Sequence, residues 1–169
     1  MFGLAKNYAY IDSQNLNLGI QSLGWKLDYK KFRVYLSEKY SVKVAYLFIG
    51  FIPQNQELYS SLQKSGYILK FKPVLPNQDG SHKGNVDADL VLQVAIDYFE
   101  KNFDKAVLVT SDGDFYSVVN FLYEKGGLEK VISPYYKTCS TLLKSTAKER
   151  IVFVHNLQRK LEYIKKNTA

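Results

Sequence analysis

The stretch Val107-Leu-Val-Thr-Ser-Asp-Gly-Asp-Phe115 limits most sharply what this chain can fold into. Val107, Leu108 and Val109 form a short apolar run, as expected of a strand covered on both faces, and the run stops at two carboxylates, Asp112 and Asp114. Phe115, Val118, Val119 and Leu122 then recur at a spacing of three or four residues, which predicts a helix. Ser111 and Asp114 fit the Ser-x-x-Asp pattern of a helix start. A doubly covered strand that feeds a helix points to an α/β architecture, where ligands bind beyond the carboxyl ends of the strands. Two acids at such an end are candidate metal ligands. An Asp at a helix start is also an ordinary cap for backbone N–H groups, so the pair gains meaning only if other junctions carry acids too.

They do. Asn7 to Asp12 reads as a first strand ending on an acid, followed by a polar loop, or a loop with a short helical turn, from Ser13 to Gly24. Phe32, Tyr35, Leu36 and Tyr40 predict an amphipathic helix within Leu27 to Tyr40, and Val42 to Phe51 is a strong strand stopped by Pro53. A helix over Gln54 to Ser65, closed by Gly66, precedes a short strand over Tyr67 to Phe71. Lys72 to Asn85, with its Pro, Gly, Asn and Asp residues, reads as a long loop of the functional kind. Asp87 and Asp89 then open a helix whose apolar face is Leu90, Val91, Val94, Ala95, Tyr98 and Phe99. After the strand over Lys105 to Thr110 and the helix over Asp114 to Lys125 come a strand over Leu128 to Ser133 and a mixed segment over Tyr135 to Lys148. A last strand over Ile151 to Val154 and a basic helix over Asn156 to Lys166 complete the chain. Strands alternate with helices, so the expectation is an α/β fold: a mostly parallel sheet of five to six strands with helices on both faces. No linker or repeat divides the 169 residues, which read as one domain.

In a parallel sheet, strand ends and helix starts share one edge, so Asp12, Asp87, Asp89, Asp112 and Asp114 could converge. Two unit charges about 4 Å apart repel by roughly 1 kcal/mol in water and about 4 kcal/mol at an effective dielectric of about 20. Acids brought together must therefore raise one another's pKa or bind a cation. Hard oxygen ligands without His or Cys point to Mg²⁺ or Mn²⁺, ions that polarise a phosphoryl oxygen, activate a water and stabilise a leaving oxygen. The chain around these acids is basic, with net charge +7 and a pI near 9.3, which suits a polyanionic partner. The lone Cys139 excludes an internal disulfide and a multi-cysteine zinc site, and two histidines, His82 and His155, exclude a site of three His ligands. No Walker loop supports an NTPase of that type, and neither histidine sits in a recognisable Ser-His-Asp context. No run approaches 18 apolar residues and no signal pattern opens the chain, so a cytoplasmic protein with no membrane partner is expected.

Three motifs carry a resemblance. YIDSQNLN (Tyr10 to Asn17), KGNVDADLVL (Lys83 to Leu92) and VTSDGDFYSVVNFLYEKG (Val109 to Gly126) occur in the order that resembles the NYN domains of the LabA-like family, a branch of the PIN-fold nucleases. The segments TCSTLLK (Thr138 to Lys144) and IVFVHNLQRKLE (Ile151 to Glu162) resemble one bacterial subgroup. The resemblance implies a Rossmann-like parallel sheet and metal-dependent cleavage of RNA. By position it makes Asp12, Asp87, Asp112 and Asp114 the metal-binding acids, with Asp89 an additional acid. It gives Asn15 the task of orienting a carboxylate or a metal-bound water. Asn15, Ser111 and Lys83 stand as the residues that would contact nucleic acid, and RNA, single-stranded or structured, as the partner; homodimerisation stays open. Two departures are visible. Gln93 stands six residues after Asp87, where some relatives carry another acid, with Asp97 coming later, and Thr110-Ser111 replaces a frequent Ser-Gly.

Overall fold

The computed structural model describes residues 3–73, 75–76, 82–83 and 87–167, with the side chains of 73, 75–76 and 82–83 outside that description. Six strands form one sheet: β1 (Asn7–Asp12), β2 (Val42–Phe51), β3 (Tyr67–Pro73), β6 (Ala106–Val109), β7 (Leu128–Ser133) and β8 (Ile151–Phe153). Two short antiparallel strands, β4 (Leu75–Pro76) and β5 (His82–Lys83), lie apart within the expected long loop. Every pairing in the main sheet is parallel, in the order β3-β2-β1-β6-β7-β8. The chain steps outward from β1 to β3, returns to place β6 beside β1, and steps outward again. β1 and β6 therefore flank the point where the strand order reverses, and the crevice beyond their carboxyl ends is the place such sheets reserve for ligands. Asp12 ends one of these two strands, and Thr110 follows the other directly.

Helices cover both faces. On one face α1 (Ser13–Gln21), α2 (Tyr29–Tyr40), α3 (Gln56–Lys64) and the short α7 (Gln158–Leu161) bury Leu16, Ile20, Phe32, Leu36, Leu62 and Leu161 against Ala9, Ile11 and Leu47. On the other, α4 (Asp87–Phe99), α5 (Tyr116–Glu124) and α6 (Thr141–Ala147) bury Leu90, Val94, Val119, Leu122 and Leu143 against Tyr10, Leu108 and Val131. The central strand β1 is buried along its whole length, as a strand between two helical layers must be.

Four local expectations are corrected. Ser13–Gln21 is a helix, not a loop: Asp12 caps it by accepting from the Asn15 N–H, and Leu16 and Ile20, four residues apart, supply a narrow buried stripe that a polar composition conceals. The start of the helix after β6 is capped by Asp112, which accepts from the Asp114 N–H at 2.9 Å, whereas the Ser111 hydroxyl is turned toward Asn15. Helix α4 buries Leu90, Val94 and Asp97, leaving Val91 and Phe99 exposed, because the buried stripe follows the four- and three-residue spacing 90, 94, 97. The basic terminal helix reaches only from Gln158 to Leu161; beyond it the backbone turns to pair with Lys26–Asp28, where Glu162 bridges Leu27 and the Tyr163 N–H donates to the Lys26 carbonyl.

Candidate metal centre

The carboxyl ends of β1 and β6 carry a connected set of polar groups. The Thr110 side chain sits between the two acidic junctions: its hydroxyl oxygen accepts from the Asp112 N–H at 3.1 Å and makes a long contact of 3.5 Å to the Asp12 carboxylate. Asn15, in the first turn of α1, accepts through Oδ1 from both the N–H and the hydroxyl of Ser111, at 2.8 and 2.9 Å. Asn15 thus fastens the helix that Asp12 caps to the turn that carries Asp112. Its carboxamide oxygen is committed to this bracing. Gly113 lies against the start of α6, where the Ser140 N–H donates to the Ser111 carbonyl, and a Cβ on Gly113 would overlap the Ser140 hydroxyl. Only glycine allows this close approach.

Into this frame α4 brings Asp87. One carboxylate oxygen each from Asp87, Asp112 and Asp114 lie within 4.8 Å of one another, and among the described residues this is the group of acids that could hold a metal ion. Asp12, 8% exposed, lies beneath them. Burial pushes its carboxyl up to about 6; the Asn15 N–H opposes this, and the charges of Asp87 and Asp112 add to it. The Asp87 carboxyl is raised too, first by burial, then by Asp112 and Asp114, with Lys72 acting in the opposite sense. The donor set fits a hard divalent cation. It is all carboxylate oxygen, and the three oxygens lie within 4.8 Å of one another, near enough for one ion to draw them together.

The five acids of the sequence do not all meet here. Asp89 projects from α4 at 54% side-chain exposure, is 3.9 Å from the Lys72 ammonium, and lines a shallow cleft of about 270 Å³ with Gln93, Leu92, Ile96 and residues of β2 and β3. Asp97 is buried elsewhere along α4 and accepts from the Tyr10 hydroxyl at 2.7 Å and from Asn102 Nδ2 at 2.9 Å. The side chain of Lys83 lies outside the described residues. Sequence reasoning missed Thr110 as the link between the junctions and Gly113 as the site of close approach. The signal was present: a hydroxyl residue directly after a buried strand, and a glycine between two acids.

Residues 8–155 match the model of the NYN domain. The structure superposes on that of a protein of unknown function from Vibrio parahaemolyticus with a TM-score of 0.73 and 23% identity, covering 91% of this chain and 96% of that one. At that identity the likeness shows the α/β fold. A comparison with curated proteins finds no match. Among the described residues no helix is long and apolar enough to cross a membrane.

Proposed function

The chain belongs to the NYN domain family, and from that premise we propose that it is a metal-dependent ribonuclease of the LabA-like branch, hydrolysing RNA phosphodiester bonds at the acidic cluster. The observation that carries the reading is the approach of the Asp87, Asp112 and Asp114 oxygens to within 4.8 Å at the point where the strand order reverses. Mg²⁺ or Mn²⁺ would be held by Asp87, Asp112 and Asp114, with Asp12 beneath. When bound, such an ion polarises a phosphoryl oxygen and makes water a stronger nucleophile. The chain's own residues do the positioning. The Asp114 N–H fixes one oxygen of Asp112 and so selects its rotamer. Asn15 locks the Ser111 turn, and Thr110 keeps Asp12 and Asp112 in register across the two strands. The basic surface, at net charge +7, draws the RNA backbone toward an otherwise repulsive acidic edge. The protein acts without a membrane partner, in the cytoplasm.

A second reading, an RNA-binding or regulatory module with the same fold and little catalysis, is favoured by Gln93. This neutral side chain lines the cleft beside Asp89 where some relatives place an acid. Cleavage of a labelled single-stranded RNA in Mn²⁺, in EDTA and by Asp112→Asn separates the two. The nuclease reading expects cleavage to fall by roughly a hundredfold or more in both controls, a loss of several kcal/mol of transition-state stabilisation. It also expects millimolar Mn²⁺ to raise the melting temperature of the wild type by several degrees and that of Asp112→Asn by much less. RNA binding without cleavage or a Mn²⁺ shift would install the second reading instead.

A further inference from the structure

Beyond β7 the chain is fastened at one end to helix α1 and at the other to the turn that carries Asp112. Pro134 packs on Gly19 of α1, where an added Cβ would come within 2.6 Å of the proline ring, and Ser140 is bonded to Ser111 and packed on Gly113. Between these anchors lie Tyr135 and Tyr136. Tyr135 meets the His155 ring edge-on at 5.2 Å, and Tyr136 meets Phe153 edge-on at 5.4 Å, with Phe153 and His155 6.4 Å apart. The Lys144 ammonium stands 4.2 Å from the centre of the Tyr136 ring. Elsewhere on the sheet, the rings of Tyr8 and Tyr10 also contact one another's neighbours, but they are closed inside the core. Here the rings are half-buried, and Tyr136 is 55% exposed.

Resting on the reading of the acidic cluster as an RNA-cleaving site, we infer that Tyr135, Tyr136, Phe153 and His155 form a platform on which unpaired bases of single-stranded RNA stack while a phosphate further along the same strand lies at Asp87, Asp112 and Asp114. Every base has a π-face, so such a platform tolerates any sequence; Lys144, whose ammonium lies over the Tyr136 ring, swings off that face as a base arrives, and its charge offsets that of the backbone. Bases inside an A-form duplex are stacked on one another and closed to a protein ring, so the platform selects single strands. The anchors give the platform a fixed relation to the acids: the segment that bears Tyr135 and Tyr136 cannot shift without disturbing the Ser111–Gly113 turn.

Fluorescence anisotropy of a labelled single-stranded RNA and of the same strand in a duplex, both in EDTA, tests this without calling on cleavage. The expected result is preference for the single strand, weakened roughly fivefold or more by Tyr136→Ala and restored to within about twofold by Tyr136→Phe. Tyr135→Ala, with its ring half-buried, serves as a second variant, and melting temperatures verify that each is folded. Equal binding of duplex and single strand, no binding of the single strand, or affinity unchanged in both alanine variants overturns the platform. Stacking-dependent binding without Mn²⁺-dependent cleavage would leave the platform standing and remove the nuclease reading. Cleavage that is lost in Asp112→Asn but indifferent to Tyr135 and Tyr136 would do the reverse.

Discussion

Two of the three carboxylates of helix α4 have opposite surroundings. Near its C-terminal end Asp97, 2% exposed, receives two donors, the Tyr10 hydroxyl and the Asn102 amide. At its N-terminal end Asp87 faces Asp112 and Asp114, and its carboxyl is raised by burial and by their charge. Burying a carboxylate is costly unless its lone pairs are met by donors. The fold meets that requirement for Asp97 from within, and Tyr10 registers the arrangement: burial first, then its bond to Asp97, push the phenol far above its ordinary range. Around Asp87 the charges of Asp112 and Asp114 raise the carboxyl while Lys72 acts in the opposite sense, and a cation at this edge would offset the like charges. A buried acid therefore signals a ligand site by the company it keeps and not by its depth.

The largest effect that would break this comparison is on stability. Asp97→Ala strands the Tyr10 hydroxyl in the core, removes one of the two acceptors of the half-buried Asn102 amide and is expected to cost about 3 kcal/mol, a fall of roughly 10 °C in melting temperature. Cleavage by the folded variant at 25 °C should be unchanged. Calorimetry and the RNA assay read the two separately, and loss of cleavage at an unchanged melting temperature would erase the distinction between the two acids.

Asp12 sharpens the comparison through pH. Its folded carboxyl sits at about 6 against an ordinary 3.8, so between those values the native state holds more protons than the unfolded chain. In EDTA this group's contribution to stability is complete below about pH 4 and is lost as pH rises through about 6. Asp12→Asn keeps a residue that caps helices well and removes the titration. Urea unfolding in EDTA should show the variant gaining on the wild type as pH rises, by on the order of 2 kcal/mol at pH 7. A difference that stays flat with pH would mean that burial does not raise the Asp12 carboxyl.

The smallest effect belongs to Asp89. Its exposed contact with Lys72 at 3.9 Å is of the kind that contributes little, so Asp89→Asn is expected to shift stability by less than about 0.5 kcal/mol and to leave cleavage intact. Cleavage that fell with Asp89→Asn would extend the acidic site toward Gln93 and the neighbouring cleft.

Much of this arrangement was legible in the residues. The apolar run from Val107 to Val109, the alternation of strands with helices and the acids at three junctions are local patterns, governed by spacings of two, three and four residues along the chain. They determined the α/β class, six strands of the sheet and the edge at which the acids lie. Local pattern also misled where a helix depends on little of its own composition: α1 is held by an Asp12 cap and two buried apolar residues, and the basic tail gives up its helix to pair with Lys26–Asp28.

Only the tertiary structure decided which acids meet. Asp12 and Thr110 are 98 residues apart, Asn15 and Ser111 are 96 apart, and Tyr10 and Asp97 are 87 apart. Each becomes a neighbour because the strand order places β1 beside β6 and because α4 packs across β1. The sequence by itself determined that carboxylates would stand at strand ends and helix starts. It could not distinguish Asp97, met by two donors, from Asp87, met by two acids, because that difference lies in the register and packing of elements that share no local pattern.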